Sequence, residues 1–276
     1  MWNRNRSDEM QTFLRRARAG ERLMGLSLSM DTVIPVEVAT GYSFDYLYVD
    51  LEHSIMTTGP RIGEVVRAAD ASGLPFFVKL NNWDPTMARD MMDMGAFGIM
   101  APFVESSQQA LDHDAAIRFP PLGERGWCSA QRSTAYAQST RFTRKLDLNV
   151  QEQVADFANN HAIIIPTIES FDAVENIEEL LELQQFPIWH IGAEDLALRL
   201  KDEEGPPDYE FVTKVVKTLS TRLHEKGKLL TFAVDIPPDD DPQFTRELMD
   251  FLQVDLPYVF DVMMLGYGLQ SVFRRI

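Results

Sequence analysis

Short apolar runs alternate along the chain with longer segments of mixed apolar and polar residues. The runs are rich in β-branched and aromatic residues, which is typical of strands that are buried on both faces. They lie near 23–29 and at 44–50, 75–80, 97–103, 162–169, 187–192, 228–235 and 259–266. Eight strands separated by helices predict a parallel sheet. Eight is also the number of strands that closes a (β/α)8 barrel, the TIM barrel.

The segments between these runs carry the start and stop signals of helices. In the segment 84–95, Pro85 stands at the first helical turn and Gly95 at the stop. The other helical segments lie within 1–22 and at 58–73, 106–119, 170–183 and 208–227. No repeat or linker divides the chain, so we expect a single domain over 1–276 that begins with an N-terminal helix in 1–22. The polar stretch 119–150 is predicted to be a long loop on the active-site side of the barrel.

An open, doubly wound sheet is the alternative fold. Its nucleotide-binding forms carry G-x-G-x-x-G after the first strand, and phosphate loops carry G-x-x-x-x-G-K-[ST]. The sequence has no G-x-G-x-x-G after the first predicted strand and no G-x-x-x-x-G-K-[ST] anywhere. The barrel is therefore the simpler prediction, and a nucleotide-dependent enzyme is disfavoured.

Composition and charge narrow the classes of function. The net charge of −16 and the pI of about 4.7 disfavour a nucleic-acid partner, because an acidic surface repels phosphates. No run of about 18 apolar residues predicts a membrane span, and the first residues lack the apolar core of a secretory signal. With its single cysteine the chain forms no internal disulfide. We therefore expect a soluble protein in the reducing cytoplasm.

Polar side chains stand at the carboxyl ends of several predicted strands. They are Asp50, Glu52 and His53 after the second strand, Lys79 in the third, Glu169 in the fifth, and Glu194 and Asp195 after the sixth. The catalytic residues of TIM barrels come from the ends of several strands at this face. The pattern therefore predicts an active site there.

Each of these residues also has an ordinary structural interpretation. Glu169 and Asp195 suit a hard divalent cation such as Mg²⁺ or Mn²⁺, but each is also typical of a helix cap or a first-turn acid. His53 suits a general base, or else a hydrogen-bonded surface histidine. Lys79 suits the stabilisation of an oxyanion, or else a strand-end lysine whose ammonium group reaches water. The residues alone leave these alternatives open.

The ordered set of motifs resembles one known family. The motifs are "FDYLYVDLEHS", "FFVKLNNWDP", "MMDMGAFGIMAPFVESSQQA", "RFPPLGERG", "PTIES" and "HIGAEDLA", and the resemblance spans residues from about 23 to 270. In this order and spacing they are similar to the metal-dependent, class II pyruvate aldolases of the HpcH/HpaI aldolase/citrate lyase family. The resemblance implies a TIM barrel and a lyase that breaks or forms a carbon–carbon bond beside a pyruvate unit.

The resemblance also implies a metal and substrate site. Glu169 and Asp195 match the ligands of a divalent metal, Mg²⁺ or Mn²⁺ with Co²⁺ as a further option, which a 2-oxo acid would share. The residues that match substrate contacts are Thr167, Gly192, Ala193, Glu194 and Asp195. The expected ligands are thus a small 2-oxo acid and an aldehyde.

The acid–base residues follow from the same resemblance. His53 matches the base that takes the proton from the 4-hydroxyl group in the cleavage direction. Asp93 matches the acid that pairs with this histidine and raises its basicity. Asp50 and Glu52 match groups that orient metal-bound water.

Four positions depart from the family pattern. Lys79 stands where the family has arginine, and it keeps the positive charge but loses the planar fork. Thr167 replaces a glutamine that contacts substrate, and Glu194 replaces a small residue. Gly268 stands where the family has an acid near the end of the eighth strand.

These departures keep two other functions open. One is an oxaloacetate decarboxylase that adds the enolate to another acceptor, as macrophomate synthase does, and the other is a non-catalytic, ligand-binding barrel. The resemblance also implies a homo-oligomer, commonly a hexamer built as a trimer of dimers.

Overall fold

The eight strands form a closed barrel in a computed structural model, which describes residues 2–54, 60–128, 130–134, 148–199, 209–235 and 242–273. The strands are β1 Gly25–Leu28, β2 Tyr46–Asp50, β3 Phe76–Lys79, β4 Gly98–Ala101, β5 Ile163–Ile168, β6 Ile188–Ile191, β7 Leu229–Ala233 and β8 Leu256–Phe260. Every neighbouring pair is parallel, and β8 pairs with β1. The predicted TIM barrel is confirmed.

Helices surround the barrel in the described part of the chain. They are α1 Trp2–Arg18, α2 Ile34–Gly41, α3 Pro60–Ala71, α4 Pro85–Met94, α5 Ser107–Ile117, α6 Leu148–His161, α7 Phe171–Glu175, α8 Ile177–Leu181, α9 Ala193–Arg199, α10 Tyr209–Glu225, α11 Pro242–Leu252 and α12 Asp261–Phe273. The predicted signals are confirmed in α4, which begins at Pro85 and ends at Gly95 with a φ of 109°. The structure adds an N-cap, because the Asp84 side chain accepts from the Thr86 N–H. The segment 170–183 forms two helices, which Asn176 separates.

Successive strand residues face opposite sides of the barrel wall. Tyr46, Tyr48 and Phe77 point inward and pack in the barrel interior together with Phe13 of α1, while Leu47 belongs to the layer between strands and helices. This alternation, together with burial of both faces, explains why the strands are almost wholly apolar in sequence. Because α1 packs beneath the inward-facing aromatic rings, the open end of the barrel is the end where the strands finish.

The eighth strand lies earlier in the chain than the sequence pattern indicated. The prediction of a strand at 259–266 is wrong after Phe260, because α12 begins at Asp261 and contains Gly268. The acid after β8 is therefore Asp261. Its carboxylate accepts from the backbone N–H groups of Ser29 and Met30 at 3.0 and 3.1 Å, which joins the ends of β8 and β1.

The described residues of the stretch 119–150 contact helices that follow β2 and β3. Its residues 129 and 135–147 are outside the described residues, as are the side chains of 148–150. Arg125 pairs with Asp93 at 2.5 Å, and Arg132 pairs with Asp70. Both acids belong to the last turns of the helices that follow β2 and β3, and such helices return to the N-terminal end of the barrel. The described part of this stretch therefore lies away from the active-site face. The prediction of a loop on the active-site side stays a prediction for the residues outside the described ranges.

Within the described part of the chain, none of the helices combines the length and the apolar character that a membrane crossing requires.

Candidate active site

A cavity of about 270 Å³ opens where the strands end. Its polar end is lined by His53, Lys79, Glu169, His190, Glu194 and Asp195. These side chains come from the ends of β3, β5 and β6 and from the segments after β2 and β6. The sequence-based prediction of polar groups at this face of the barrel agrees with this cluster, and Glu169 and Asp195 share one cavity wall.

Glu169 follows β5 and is almost completely buried, with an exposed fraction of 1%. Its Oε1 accepts a hydrogen bond of 2.8 Å from the Phe103 N–H. Burial raises the pKa of Glu169 to about 7. The negative charges of Glu52 and Asp195 act in the same direction, while the Phe103 N–H and Lys79 oppose the shift. The carboxylate thus lies in an anionic environment with little water to solvate it.

Gly192 lets Glu169 occupy this place. A Cβ atom at position 192 would lie 2.5 Å from Glu169 Oε2 and 2.9 Å from its Cβ. The Gly192 N–H donates to Ile168 O at 3.0 Å, which holds the end of β6 beside β5. Helix α9 begins at the next residue, so Glu194 and Asp195 stand in its first turn on the cavity wall. Only glycine fits this close approach.

The turn after β2 is shaped by Asp50. Its Oδ1 accepts from the backbone N–H groups of Glu52 at 2.8 Å and of His53 at 3.0 Å. Asp50 has no exposed surface and is absent from the cavity wall. The contacts of Oδ1 therefore position the backbone that carries His53. Oδ2 is buried without a hydrogen-bond partner among the described residues, and the role of orienting metal-bound water stays a prediction.

Glu52 connects the histidine and the lysine. Its Oε2 lies 2.5 Å from Lys79 Nζ and 3.2 Å from His53 Nε2. The side chain of His53 is 52% exposed, whereas those of Lys79 and Glu52 are largely buried. One carboxylate oxygen thus restrains the imidazole and neutralises the buried ammonium group.

Asp93 does not pair with His53 within one chain. Its Oδ1 accepts from Arg125 Nη2 at 2.5 Å and from Nε at 3.0 Å, and its Oδ2 accepts from Gln131. Burial raises the pKa of Asp93, and the Arg125 charge opposes that rise. The predicted pairing is wrong for a single chain, because α4 carries Asp93 back to the N-terminal end of the barrel. Glu52 occupies the position beside His53 that was predicted for Asp93.

Thr167 is also placed differently from the prediction. It faces the barrel interior one step below Glu169, has no exposed surface and does not line the cavity. The prediction that Thr167 contacts substrate therefore has no support in the structure. An inward-facing residue two positions before Glu169 lies one step deeper in the barrel, beneath the site rather than on its wall.

Sequence reasoning missed His190 and Tyr258, which form part of the cavity floor. Tyr258 Oη lies 3.0 Å from His190 Nε2. Burial, and next the nearby charges of Lys79 and His53, hold the pKa of His190 well below its usual value. The imidazole is therefore neutral, and Nδ1 is buried without a hydrogen-bond partner among the described residues. The strand alternation Ile188, His190, Gly192 was the available signal for an inward-facing histidine.

The carboxylates of Glu169 and Asp195 suit a hard cation that would also bind oxygen atoms of the substrate. Among the described residues, no group of three or more His, Cys, Asp or Glu side chains is arranged to hold a metal ion. Glu169 and Asp195 would supply two carboxylates and leave the other positions to water or substrate oxygens, as Mg²⁺ sites commonly do. The pKa of Glu169, raised in part by Asp195 and Glu52, is the expected mark of clustered acids to which a cation would bind.

Comparison with known proteins identifies the family. The sequence model of the HpcH/HpaI aldolase/citrate lyase family matches residues 24–254. The chain belongs to this family. A 2-keto-3-deoxy-L-rhamnonate aldolase from Escherichia coli is 27% identical over 227 residues, which are 82% of this chain and 79% of the relative. The HpcH/HpaI family thus groups this chain with aldolases and lyases.

Solved structures show the same fold. An HpcH/HpaI aldolase/citrate lyase family protein from Burkholderia cenocepacia is 21% identical with a TM-score of 0.80, and the match covers 96% of this chain and 98% of that one. A citrate lyase β-subunit from M. tuberculosis, solved with oxaloacetate and magnesium, is 15% identical with a TM-score of 0.56 over 89% of this chain and 93% of that one. At these identities the likeness concerns the barrel alone.

Proposed function

We propose that this HpcH/HpaI family member is a divalent-metal-dependent aldolase of class II. It cleaves or forms a 4-hydroxy-2-oxo acid through a pyruvate enolate, with an aldehyde as the other product or reactant. The observation that carries the proposal is one cavity wall on which Glu169 and Asp195 stand together with Lys79 and His53. This set combines two cation ligands, a fixed positive charge and an imidazole that can accept a proton.

Glu169 and Asp195 would hold the cation, with Mg²⁺ or Mn²⁺ as the first candidates and Co²⁺ as a third. Such a cation acts as a Lewis acid that stabilises the negative charge developing on a 2-oxo acid. The magnesium in the related citrate lyase β-subunit supports this assignment. The buried, partly anionic setting of Glu169 supports it independently.

His53 performs the proton transfer in the cleavage direction. Its imidazole takes the proton from the 4-hydroxyl group, the bond between C3 and C4 breaks, and the released electron pair forms the enolate while the aldehyde departs. A proton delivered to C3 then gives pyruvate. Glu52 keeps the ring oriented through the 3.2 Å contact with Nε2. In the synthetic direction the imidazolium returns the proton to the alkoxide.

Lys79 supplies a fixed positive charge near the enolate oxygen. Replacing it by methionine is expected to lower kcat by a factor of about 10² to 10³, the usual loss when an oxyanion donor is removed. Lys79→Arg keeps the charge, so it should retain or raise the activity. Because Lys79→Met removes the ammonium partner of Glu52, comparison of its thermal unfolding midpoint with that of the wild type controls for destabilisation. Equal steady-state rates for Lys79→Met and the wild type would contradict this role.

The proposed function is tested with purified protein and Mg²⁺. We expect the methyl hydrogens of pyruvate to exchange with deuterium in D2O, followed by NMR, and 4-hydroxy-2-oxo acids to release pyruvate. Both reactions should stop when a chelator removes the metal. If oxaloacetate instead releases pyruvate rapidly while hydroxy-oxo acids remain intact, the protein is a decarboxylase rather than an aldolase. Absence of metal binding in a calorimetric titration would favour a non-catalytic barrel.

An exposed apolar face on α12 supports a homo-oligomer, and we propose the hexamer that the family resemblance implies. Val262, Leu265 and Leu269 recur at helical spacing, and about half of the surface of each is exposed. Such a face is costly in water and marks an interaction surface. Light scattering should give the mass of six chains, and a monomeric mass would overturn the proposal.

A further inference from the structure

We infer that Tyr258 is a substrate-binding residue, whose hydroxyl group donates a hydrogen bond to an oxygen atom of the bound 2-oxo acid. His190 is the positioning residue that holds this hydroxyl group in place. The inference rests on the proposed aldolase function and adds two residues to its binding site. Both side chains are buried in the barrel interior and line the cavity that contains Glu169.

Strand register places Tyr258 in the same row of the barrel wall as Glu169. The pairings of β5 with β6, β6 with β7 and β7 with β8, continued to the residues that follow β5 and β6, align four inward-facing positions. They are Glu169, Gly192, Ala233 and Tyr258. Because glycine and alanine stand between the carboxylate and the phenol ring, this row leaves space for a ligand between them.

The hydroxyl group of Tyr258 lies near β6, the strand next to the one that carries Glu169. Its Oη is 3.0 Å from Nε2 of His190 on β6. Burial first, and then a neighbouring tyrosine and acidic groups that include Glu169, raise the pKa of Tyr258 well above its usual value. The hydroxyl group therefore keeps its proton. Such a neutral donor can bind an anionic oxygen atom in a cavity whose own side chains include several acids.

The hydrogen bonds beneath the cavity leave the phenol hydrogen of Tyr258 for a ligand. Nδ1 of His190 and Oγ1 of Thr167 are both buried without a partner among the described residues, and the two residues are neighbours across the β5–β6 ladder. Adjacent strands lie about 4.8 Å apart, so a rotation of Thr167 or one water molecule joins its hydroxyl group to Nδ1. The neutral ring then carries its hydrogen on Nε2 and donates to Tyr258 Oη. No acceptor for the phenol hydrogen remains among the described residues, and a ligand oxygen supplies one.

The charge of the ligand decides the direction of these hydrogen bonds. In the opposite direction Tyr258 would donate to His190 and present only oxygen lone pairs, which repel an anionic ligand. With Mg²⁺ and oxalate bound, we therefore expect His190 to carry its proton on Nε2 and none on Nδ1. Solid-state ¹⁵N NMR of histidine-labelled protein distinguishes the two nitrogens, and the His190→Phe variant assigns their signals. A proton on Nδ1 in this complex would overturn the inference.

The variant Tyr258→Phe removes the hydroxyl group and keeps the ring. It should weaken oxalate binding in the presence of Mg²⁺ about 10-fold to 100-fold, the usual effect of losing a hydrogen bond to a charged group, and leave the affinity for Mg²⁺ alone unchanged. Tyr48→Phe is the matched control, because the Tyr48 hydroxyl group also lies in the barrel interior but does not line the cavity. Isothermal titration calorimetry measures these affinities.

A double-mutant cycle tests the positioning role of His190. His190→Leu should weaken oxalate binding less than Tyr258→Phe does, because the hydroxyl group remains but loses its support. In the double variant the second substitution should have no further effect, since His190 acts only through Tyr258. If the two factors multiply instead, His190 acts independently and its positioning role is wrong.

Exchange of the pyruvate methyl hydrogens separates failure of the inference from failure of the proposed function. If the wild type binds oxalate and exchanges these hydrogens, equal oxalate affinities of Tyr258→Phe and Tyr48→Phe would show that Tyr258 does not contact the ligand. The proposed aldolase function would then stand without this inference. If the wild type neither binds oxalate with Mg²⁺ nor exchanges the hydrogens of pyruvate, the proposed function fails and takes the inference with it.

Discussion

Replacing His53 by alanine is expected to lower the rate of aldol cleavage by a factor of about 10² to 10⁴, the usual contribution of a general base. The imidazole lies on the cavity wall, and the turn that carries it is fixed by Asp50. The other imidazole on this wall, that of His190, is buried, and burial keeps its pKa low and the ring neutral. The measurement is steady-state kcat for release of pyruvate from a 4-hydroxy-2-oxo acid.

A second reaction of the His53→Ala variant serves as the control. Decarboxylation of oxaloacetate gives the enolate without removing a proton from a hydroxyl group, so His53→Ala should retain that reaction. Because the side chain is 52% exposed, the substitution should also leave the thermal unfolding midpoint nearly unchanged. Near-normal cleavage by a folded His53→Ala protein would remove His53 from the mechanism. Parallel loss of both reactions would indicate that His53 supports substrate binding instead of proton transfer.

The barrel and part of the site were predictable because both depend on local patterns. Apolar runs between helical segments gave the strand order, and side chains that end parallel strands must gather at one rim. Glu169 and Lys79 follow from this rule without knowledge of side-chain contacts. The strand β8 was misplaced because the apolar run continues into α12. Asp261, within that run, is the first residue of α12. Its contacts with Ser29 and Met30 identify it as the end of the strand region, and a single acid in an apolar segment gives no such indication in the sequence.

The partner of His53 was not predictable in the same way. Asp93 was assigned by resemblance, but the direction of α4 and the neighbouring Arg125 decide where its carboxylate lies. Glu52 was recognised as a nearby acid, but its contacts with both His53 and Lys79 depend on the turn that Asp50 holds. The sequence did not indicate His190, because its role depends on strand register. The register places it beside Thr167 of β5 and Thr231 of β7. Long-range geometry of this kind leaves little trace in a single sequence.

Metal affinity is expected to depend on pH through Glu169. Burial holds the pKa of this carboxyl group at about 7, so below pH 7 a cation must displace a proton, whereas above pH 7 it meets a carboxylate. The association constant for Mn²⁺ should therefore fall about tenfold for each pH unit below 7 and become constant well above it. Isothermal titration calorimetry at several pH values measures both the affinity and the released proton. Equal affinity at pH 6 and pH 8 would contradict the assignment of Glu169 as a ligand.

Two substitutions separate the charge of Glu169 from its position. Glu169→Gln removes the charge, so it should weaken Mn²⁺ binding by at least about 10² and abolish the pH dependence. Gly192→Ala keeps both carboxylates but places a Cβ atom 2.5 Å from Glu169 Oε2, so it should displace the ligand and weaken binding about 10-fold to 100-fold. Gly41→Ala is the matched control, because a Cβ atom at the end of α2 meets no atom within 4 Å. Equal Mn²⁺ affinity of the Gly192→Ala and Gly41→Ala variants would contradict the assignment. It would mean that the close packing of β6 against Glu169 does not help to form the metal site, so the cation would bind elsewhere.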